Sequence, residues 1–125
     1  MTAIASDIMS IHVLTTTADA RTWHVARLML TNGFGGLPVV DVEGRLIGMV
    51  SGFDVISKKG VTIGEIMSRG VVWASPSDSF EDVVQLMGLH GIRRVPVCLN
   101  GQIVGIISRS DLLRYRTEEH EQENM

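Results

Sequence analysis

A single cysteine, Cys98, stands in 125 residues, so no internal disulfide can form and a reducing compartment is the natural setting. Basic side chains are outnumbered by acidic ones, 11 to 14, giving a net charge of −3. That balance excludes a nucleic-acid binder working through general basicity. No uncharged apolar run approaches the roughly 18 residues that a membrane span needs. The opening stretch, MTAIASDIMS, lacks the basic and apolar regions of a signal peptide. A cytoplasmic protein that engages neither DNA nor membrane is therefore expected. His12, His24, His90 and His120 share no ligand spacing with one another or with Cys98, so no metal site is expected. Paired carboxylates and an activated cysteine are also lacking, which ranks an enzyme last among the functions considered. What is present, 45% hydrophobic and 20% charged residues, describes an ordinary globular chain of one domain's length.

The chain repeats itself. Asp7-Ile8-Met9-Ser10 returns as Glu65-Ile66-Met67-Ser68. Val13, Val25, Leu28, Met29, Gly33, Pro38 and Val39 return at the same offset as Val71, Val83, Leu86, Met87, Gly91, Pro96 and Val97. From Gly44 onward the offset is one residue shorter, and Gly48, Ser51 and Asp54 return as Gly105, Ser108 and Asp111. The lost residue falls where DVEGR becomes LNGQ, a turn in which a duplicated unit tolerates a length change. The repeats span residues 7–56 and 65–113, with 57–64 a polar linker and 114–125 a charged tail expected to fray beyond Tyr115. About 50 residues bury too little apolar surface to stand alone, so the halves are expected to share one core.

Each repeat reads as strand, helix, strand, strand, helix. Val13-Leu14 is a short apolar lead-in, and Thr16-x-x-Asp19 resembles a capping box that opens a helix. Thr22, Val25, Ala26 and Met29 form that helix's apolar stripe, which Gly33 ends. Ser75-Pro76-Ser77-Asp78 starts the second copy, whose stripe is Phe80, Val83, Val84 and Met87, ended by Gly91. Two β-rich runs follow each helix, 37–41 with 45–50 and 95–99 with 102–107, turning at Glu43-Gly44 and Asn100-Gly101. Val39, Ile47, Val97, Cys98 and Val104 join Val25, Met29, Val83 and Met87 as expected core. A short helix then opens at Ser51-x-x-Asp54 and again at Ser108-x-x-Asp111.

Those last segments carry the candidate chemistry. An aspartate one turn into a helix, just after a buried strand, offers two acceptor oxygens to a vicinal diol such as a ribose. The serine hydroxyl and first helical amides suit a phosphate or another anion. The same Ser-x-x-Asp pattern is also a plain helix-capping box, and the residues alone leave both readings open.

In order and twice over, the chain presents D/E-I-M-S, a V-x-x-x lead-in, a helix, L/V-P-V, a glycine-containing hairpin and G-h-h-S-x-x-D. The set resembles a tandem pair of CBS domains, the Bateman module, over 7–113. The resemblance implies an α/β (α+β) fold of two β-α-β-β-α repeats, packed about a pseudo-twofold axis into one globular module. It implies a regulatory module that binds AMP, ADP, ATP, S-adenosylmethionine or a related adenosyl ligand in clefts between the repeats. No cofactor is required for such a role. The ribose would fall to Ser51 and Asp54 and to Ser108 and Asp111, with Met49, Ile106, Val13 and Val71 flanking the adenine. In the family a cleft joins one repeat's aspartate to the other's lead-in and pre-proline segment. Asp54 would then face Val71, Val72, Arg93 and Arg94, with Arg109 close by, and Asp111 would face Val13 and Leu14. A homodimer and an unidentified target protein are the implied partners. The alternative is a dimerising interaction module whose clefts are vestigial.

The repeats differ where a phosphate would be neutralised. Arg93-Arg94 and Arg109 in the second stand where the first has Gly35-Gly36 and Gly52. Arginine's planar fork matches phosphate oxygens, although a solvated surface cluster would read the same. Cys98 sits at Val40's place on a strand and reads as a buried structural thiol. Trp23, off its helix's apolar stripe, reads as a contact surface, and Lys58-Lys59 as a solvated linker.

Overall fold

Glycines end the two long helices as expected. In the computed structural model, which describes residues 3–123, α2 (Thr22–Asn32) and α5 (Phe80–His90) both stop at a left-handed glycine, Gly33 and Gly91. Their starts differ from the expectation. Thr16 does not cap α2 but forms a parallel bridge with Val39, and α2 begins only at Thr22. Ser75 and Asp78 close a turn, with the Asp78 carboxylate accepting from the Ser75 amide at 2.8 Å, and Ser79 caps α5 instead. In both repeats a residue that could cap a helix joins a strand bridge or a turn a few residues earlier instead.

Two antiparallel hairpins follow the helices: β1 (Gly36–Val40) with β2 (Leu46–Ser51), and β3 (Arg94–Leu99) with β4 (Gln102–Ser108). Asn100 and Gly101 both have positive φ, 53° and 81°, the backbone that a tight two-residue turn demands. The first hairpin's longer turn is held by the Asp41 carboxylate, which accepts from the amides of Glu43 and Arg45. The residue lost between the repeats is thus the difference between two turn types. Each hairpin runs into a helix, α3 (Gly52–Ser57) or α6 (Arg109–Glu123). The tail does not fray at Tyr115: α6 continues to Glu123, with Tyr115 packed on Phe80 at 4.8 Å and Arg116 paired with Glu119.

The D/E-I-M-S segments form two four-residue helices, α1 (Ala5–Ile8) and α4 (Ile63–Ile66). The acid of each motif accepts from the backbone amide three residues back, Ile4 for Asp7 and Thr62 for Glu65. The serine then joins a strand. Ser68 exchanges both backbone hydrogen bonds with Met49 of β2, and Ser10 does so with Ile106 of β4, all at 2.9 Å. Each segment therefore pairs with the hairpin of the other repeat. The lead-in strands shrink to the single bridges Thr16–Val39 and Ala74–Val97 on the opposite hairpin edges.

This exchange moves the structural boundaries away from the linker. Leu14–Val71 form one compact unit, and the described residues before Leu14 and after Val71 form the other. Instead of one shared core there are two clusters. The first joins Val25, Met29, Leu37, Val39 and Val50 of repeat one to Ile63 of the linker and Ile66 and Met67 at the start of repeat two. The second joins Val83, Met87, Val95, Val97 and Ile107 to Ala5, with Ile8 and Met9 packed against it. Cys98 is buried, and burial pushes its thiol pKa up, which suits a structural role. Ile47 and Val104 are only partly buried, because the pleat turns Gly48, Val50, Gly105 and Ile107 to the covered face. Among the described residues no helix is long and apolar enough to cross a membrane.

Candidate functional site

Both Ser-x-x-Asp segments close as reciprocal caps. In the Leu14–Val71 unit, Asp54 Oδ2 accepts from the Ser51 amide at 2.9 Å while Ser51 Oγ accepts from the Asp54 amide at 3.0 Å. In the other unit, Asp111 Oδ2 accepts from the Ser108 amide at 2.8 Å and from its hydroxyl at 3.0 Å. One carboxylate oxygen is thus committed to the helix start, and the other, Oδ1, is left for other partners. The capping reading of the pattern holds in both units, and the cap fixes the orientation of the remaining oxygen.

Each Oδ1 already has a basic neighbour. Lys58 Nζ lies 2.9 Å from Asp54 Oδ1, and Arg114 donates to Asp111 Oδ1 at 3.0 Å. Lys58 also donates to the Ile66 carbonyl at 3.1 Å, so it is no solvated linker residue. The i,i+4 spacing of Asp54 and Lys58 and the i,i+3 spacing of Asp111 and Arg114 were the signals in the sequence.

Asp54 is 9% exposed. Burial pushes its pKa up, but the Ser51 amide, the Lys58 ammonium and the Ser51 hydroxyl outweigh that and hold it below the ordinary 3.8. A lowered folded-state pKa means a stabilising contribution that is complete above the ordinary value and is lost as pH falls through the lower one. Acid titration should therefore show the stability gap between the native chain and Asp54→Asn closing below pH 3.8. A gap that stayed constant down through that range would contradict the assignment.

The other sequence candidates divide between the units. Met49 and Ser51, on β2, and Leu14 and Val71 belong with Asp54. Ile106 and Ser108, on β4, and Val13 and Val72 belong with Asp111. The pre-proline segments follow their own hairpins. Gly36 lies opposite Ser51, and the Gly52 amide donates to the Gly35 carbonyl at 2.9 Å. At the matching place Arg94 lies opposite Ser108, and the Arg109 amide donates to the Arg93 carbonyl at 2.8 Å. The backbone thus gathers Arg93, Arg94 and Arg109 beside the Ser108–Asp111 cap.

The CBS domain family matches the chain twice, at residues 5–59 and 63–118, and the chain belongs to that family. It is 34% identical over 113 residues to the CBS domain-containing protein YhcV of Bacillus subtilis, covering 85% of this chain and 80% of that protein. It is 32% identical over 114 residues to the uncharacterized protein MJ1225 of Methanocaldococcus jannaschii, covering 86% of this chain and 41% of that longer protein. Among solved structures, the CBS domain pair of protein MJ0100, in complex with 5'-methylthioadenosine and S-adenosyl-L-methionine, superposes with a TM-score of 0.86. The identity there is 26%, over 95% of this chain and 99% of that one.

Proposed function

We propose that this chain is a regulatory module that binds an adenosine-containing ligand at its serine–aspartate caps and passes that state to a target protein. The observation that carries this reading is the pair of Oδ1 atoms not used by the caps, each held at the end of a strand clasped by the other repeat. A carboxylate so placed accepts from ribose hydroxyls. The likeness to a CBS pair in complex with two adenosyl compounds supports the same ligand class. In this reading Met49 and Ile106, with Val13, Leu14, Val71 and Val72, provide apolar surface for the base. The three arginines provide donors for a phosphate.

A thermal-shift panel of adenosine, AMP, ADP, ATP and S-adenosylmethionine tests the proposal, because a ligand at 100 times its Kd adds about 2.7 kcal/mol of stability. Asp54→Ala and Asp111→Ala should each weaken binding at their own site by roughly 1.5–3 kcal/mol, the worth of a charge-assisted hydrogen bond. Part of the accompanying stability loss, about 1 kcal/mol, belongs to the cap itself. Affinity corrected for folding is therefore the quantity to compare. Arg94→Ala should weaken AMP more than adenosine, by a margin that narrows as salt rises. Unchanged affinities in all three variants would return these residues to capping and surface charge.

The module is also proposed to work as a homodimer. Trp23 is 63% exposed on α2, with Arg27 5.9 Å from its ring, and Leu30 lies two turns on at 85% exposure. Light scattering should report a dimer that Trp23→Ala weakens; a monomer at high micromolar concentration would contradict it.

A further inference from the structure

Lys58 has partners from both sequence repeats. Its Nζ reaches Asp54 Oδ1 on α3 at 2.9 Å and the carbonyl of Ile66, the last residue of α4, at 3.1 Å. The Ile66 carbonyl is one of the acceptors that a helix C-terminus leaves unmatched, and its side chain is only 1% exposed in the first core cluster. The Lys58 side chain is 47% exposed, so it can leave without opening that core. At the corresponding position repeat two has Tyr115, which packs on Phe80, and Asp111 is paired through Arg114 instead. The clamp is therefore a property of the Asp54 cap alone.

We propose that Lys58 is a positioning residue that a vicinal diol displaces, so that occupancy of the Asp54 site is transmitted to α4. The proposal rests on the ribose reading of Asp54. Oδ2 is committed to the Ser51 amide and Oδ1 has two lone pairs, so a diol that donates both hydroxyls to Oδ1 leaves no lone pair for Lys58. When the diol takes Oδ1, the ammonium withdraws and the Ile66 carbonyl loses its donor. Asp54 then exchanges an internal counter-ion for a neutral ligand, and the tie between α3 and α4 is cut. A ligand without the diol has nothing with which to displace the ammonium and leaves the tie in place. Lys58 thus makes the site discriminate by sugar as well as by base.

The test compares Lys58→Met and Lys58→Arg with the native residue, in chains carrying Asp111→Asn so that one site is read. Adenosine and 2',3'-dideoxyadenosine are titrated by calorimetry, and amide hydrogen exchange is followed at Met67 and Ser68. Lys58→Met should bind adenosine about two- to five-fold tighter, the range expected when a partly exposed ion pair no longer competes. Its affinity for the dideoxy compound should not change, and Lys58→Arg should restore the native ratio. Adenosine should speed exchange at Met67 and Ser68 in the native chain, while Lys58→Met is already fast and insensitive. Equal or weaker adenosine binding by Lys58→Met overturns the competition. Exchange that ignores the ligand overturns the transmission to α4. If none of the three chains binds adenosine at all, the ribose reading of Asp54 falls, and the competition with it.

Discussion

Ile66→Ala should cost about 2–5 kcal/mol, the usual range for deleting a fully buried aliphatic side chain. Ile66 is 1% exposed and packs in the cluster built on Val25, Leu37, Val39 and Val50. It belongs by sequence to the second repeat and by packing to the first. Hydrogen exchange should therefore quicken in α2, β1 and β2, which precede it in the chain, before it quickens in α5 or β3. A domain of this size has about 5–15 kcal/mol in all, so chemical denaturation will resolve the change. Ile8→Ala, at the matching place of the other motif, should cost less, because Ile8 is only partly buried against its cluster. Equal costs, or loosening confined to the second hairpin, would mean that the exchanged segments do not hold the cores together.

Gly48→Ala should cost about 1–3 kcal/mol, the penalty of forcing a methyl group into filled space. A Cβ there would stand 2.7 Å from Met67 Sδ and 2.9 Å from the Ser68 carbonyl oxygen. The sulfur can swing aside, but the carbonyl is held by its hydrogen bond from the Met49 amide. At Gly105 a Cβ would meet only the Met9 side chain among its three nearest atoms, Sδ, Cγ and Cβ. Gly105→Ala should therefore be milder, and a double-mutant cycle with Met9→Ala should recover much of its cost. The cycle of Gly48→Ala with Met67→Ala should recover little, because the backbone obstacle remains. Equal coupling in the two cycles would show that the methionines, and not the clasped strand, set the need for glycine.

These glycines explain why the repeat was so legible. In D/E-I-M-S the acid caps a short helix, the isoleucine packs on a hydrophobic cluster, the methionine covers a glycine and the serine pairs with a strand. Four consecutive residues each carry a separate constraint, so they recur together. The helical stripes, the left-handed glycine ends and the Asn100-Gly101 turn were legible for a similar reason, because each depends on neighbours within a few residues. The helices expected to start at Thr16 and Ser75 start later because the backbone of Thr16 is taken by a strand bridge and that of Ser75 by a turn, neither of which local spacing distinguishes from a cap. The run of helix past Tyr115 was missed because composition alone weighs charge against burial, while Glu and Arg also favour helix.

Sequence alone determined the duplication, the order of the long helices and the hairpins that follow them, the paired serine–aspartate caps and the family they resemble. All of these follow from local spacing or from comparing the chain with itself. Tertiary structure alone decided that each D/E-I-M-S motif crosses to the other repeat's hairpin, so that Ile63, Ile66 and Met67 complete the first core and Ala5 the second. It also decided that Lys58 joins Asp54 to Ile66, and that the three arginines gather beside Ser108. A repeat shows which residues are equivalent but not which copy each one packs against. The local pattern is the same whether a segment folds back on its own hairpin or onto its twin's, and only long-range packing separates the two.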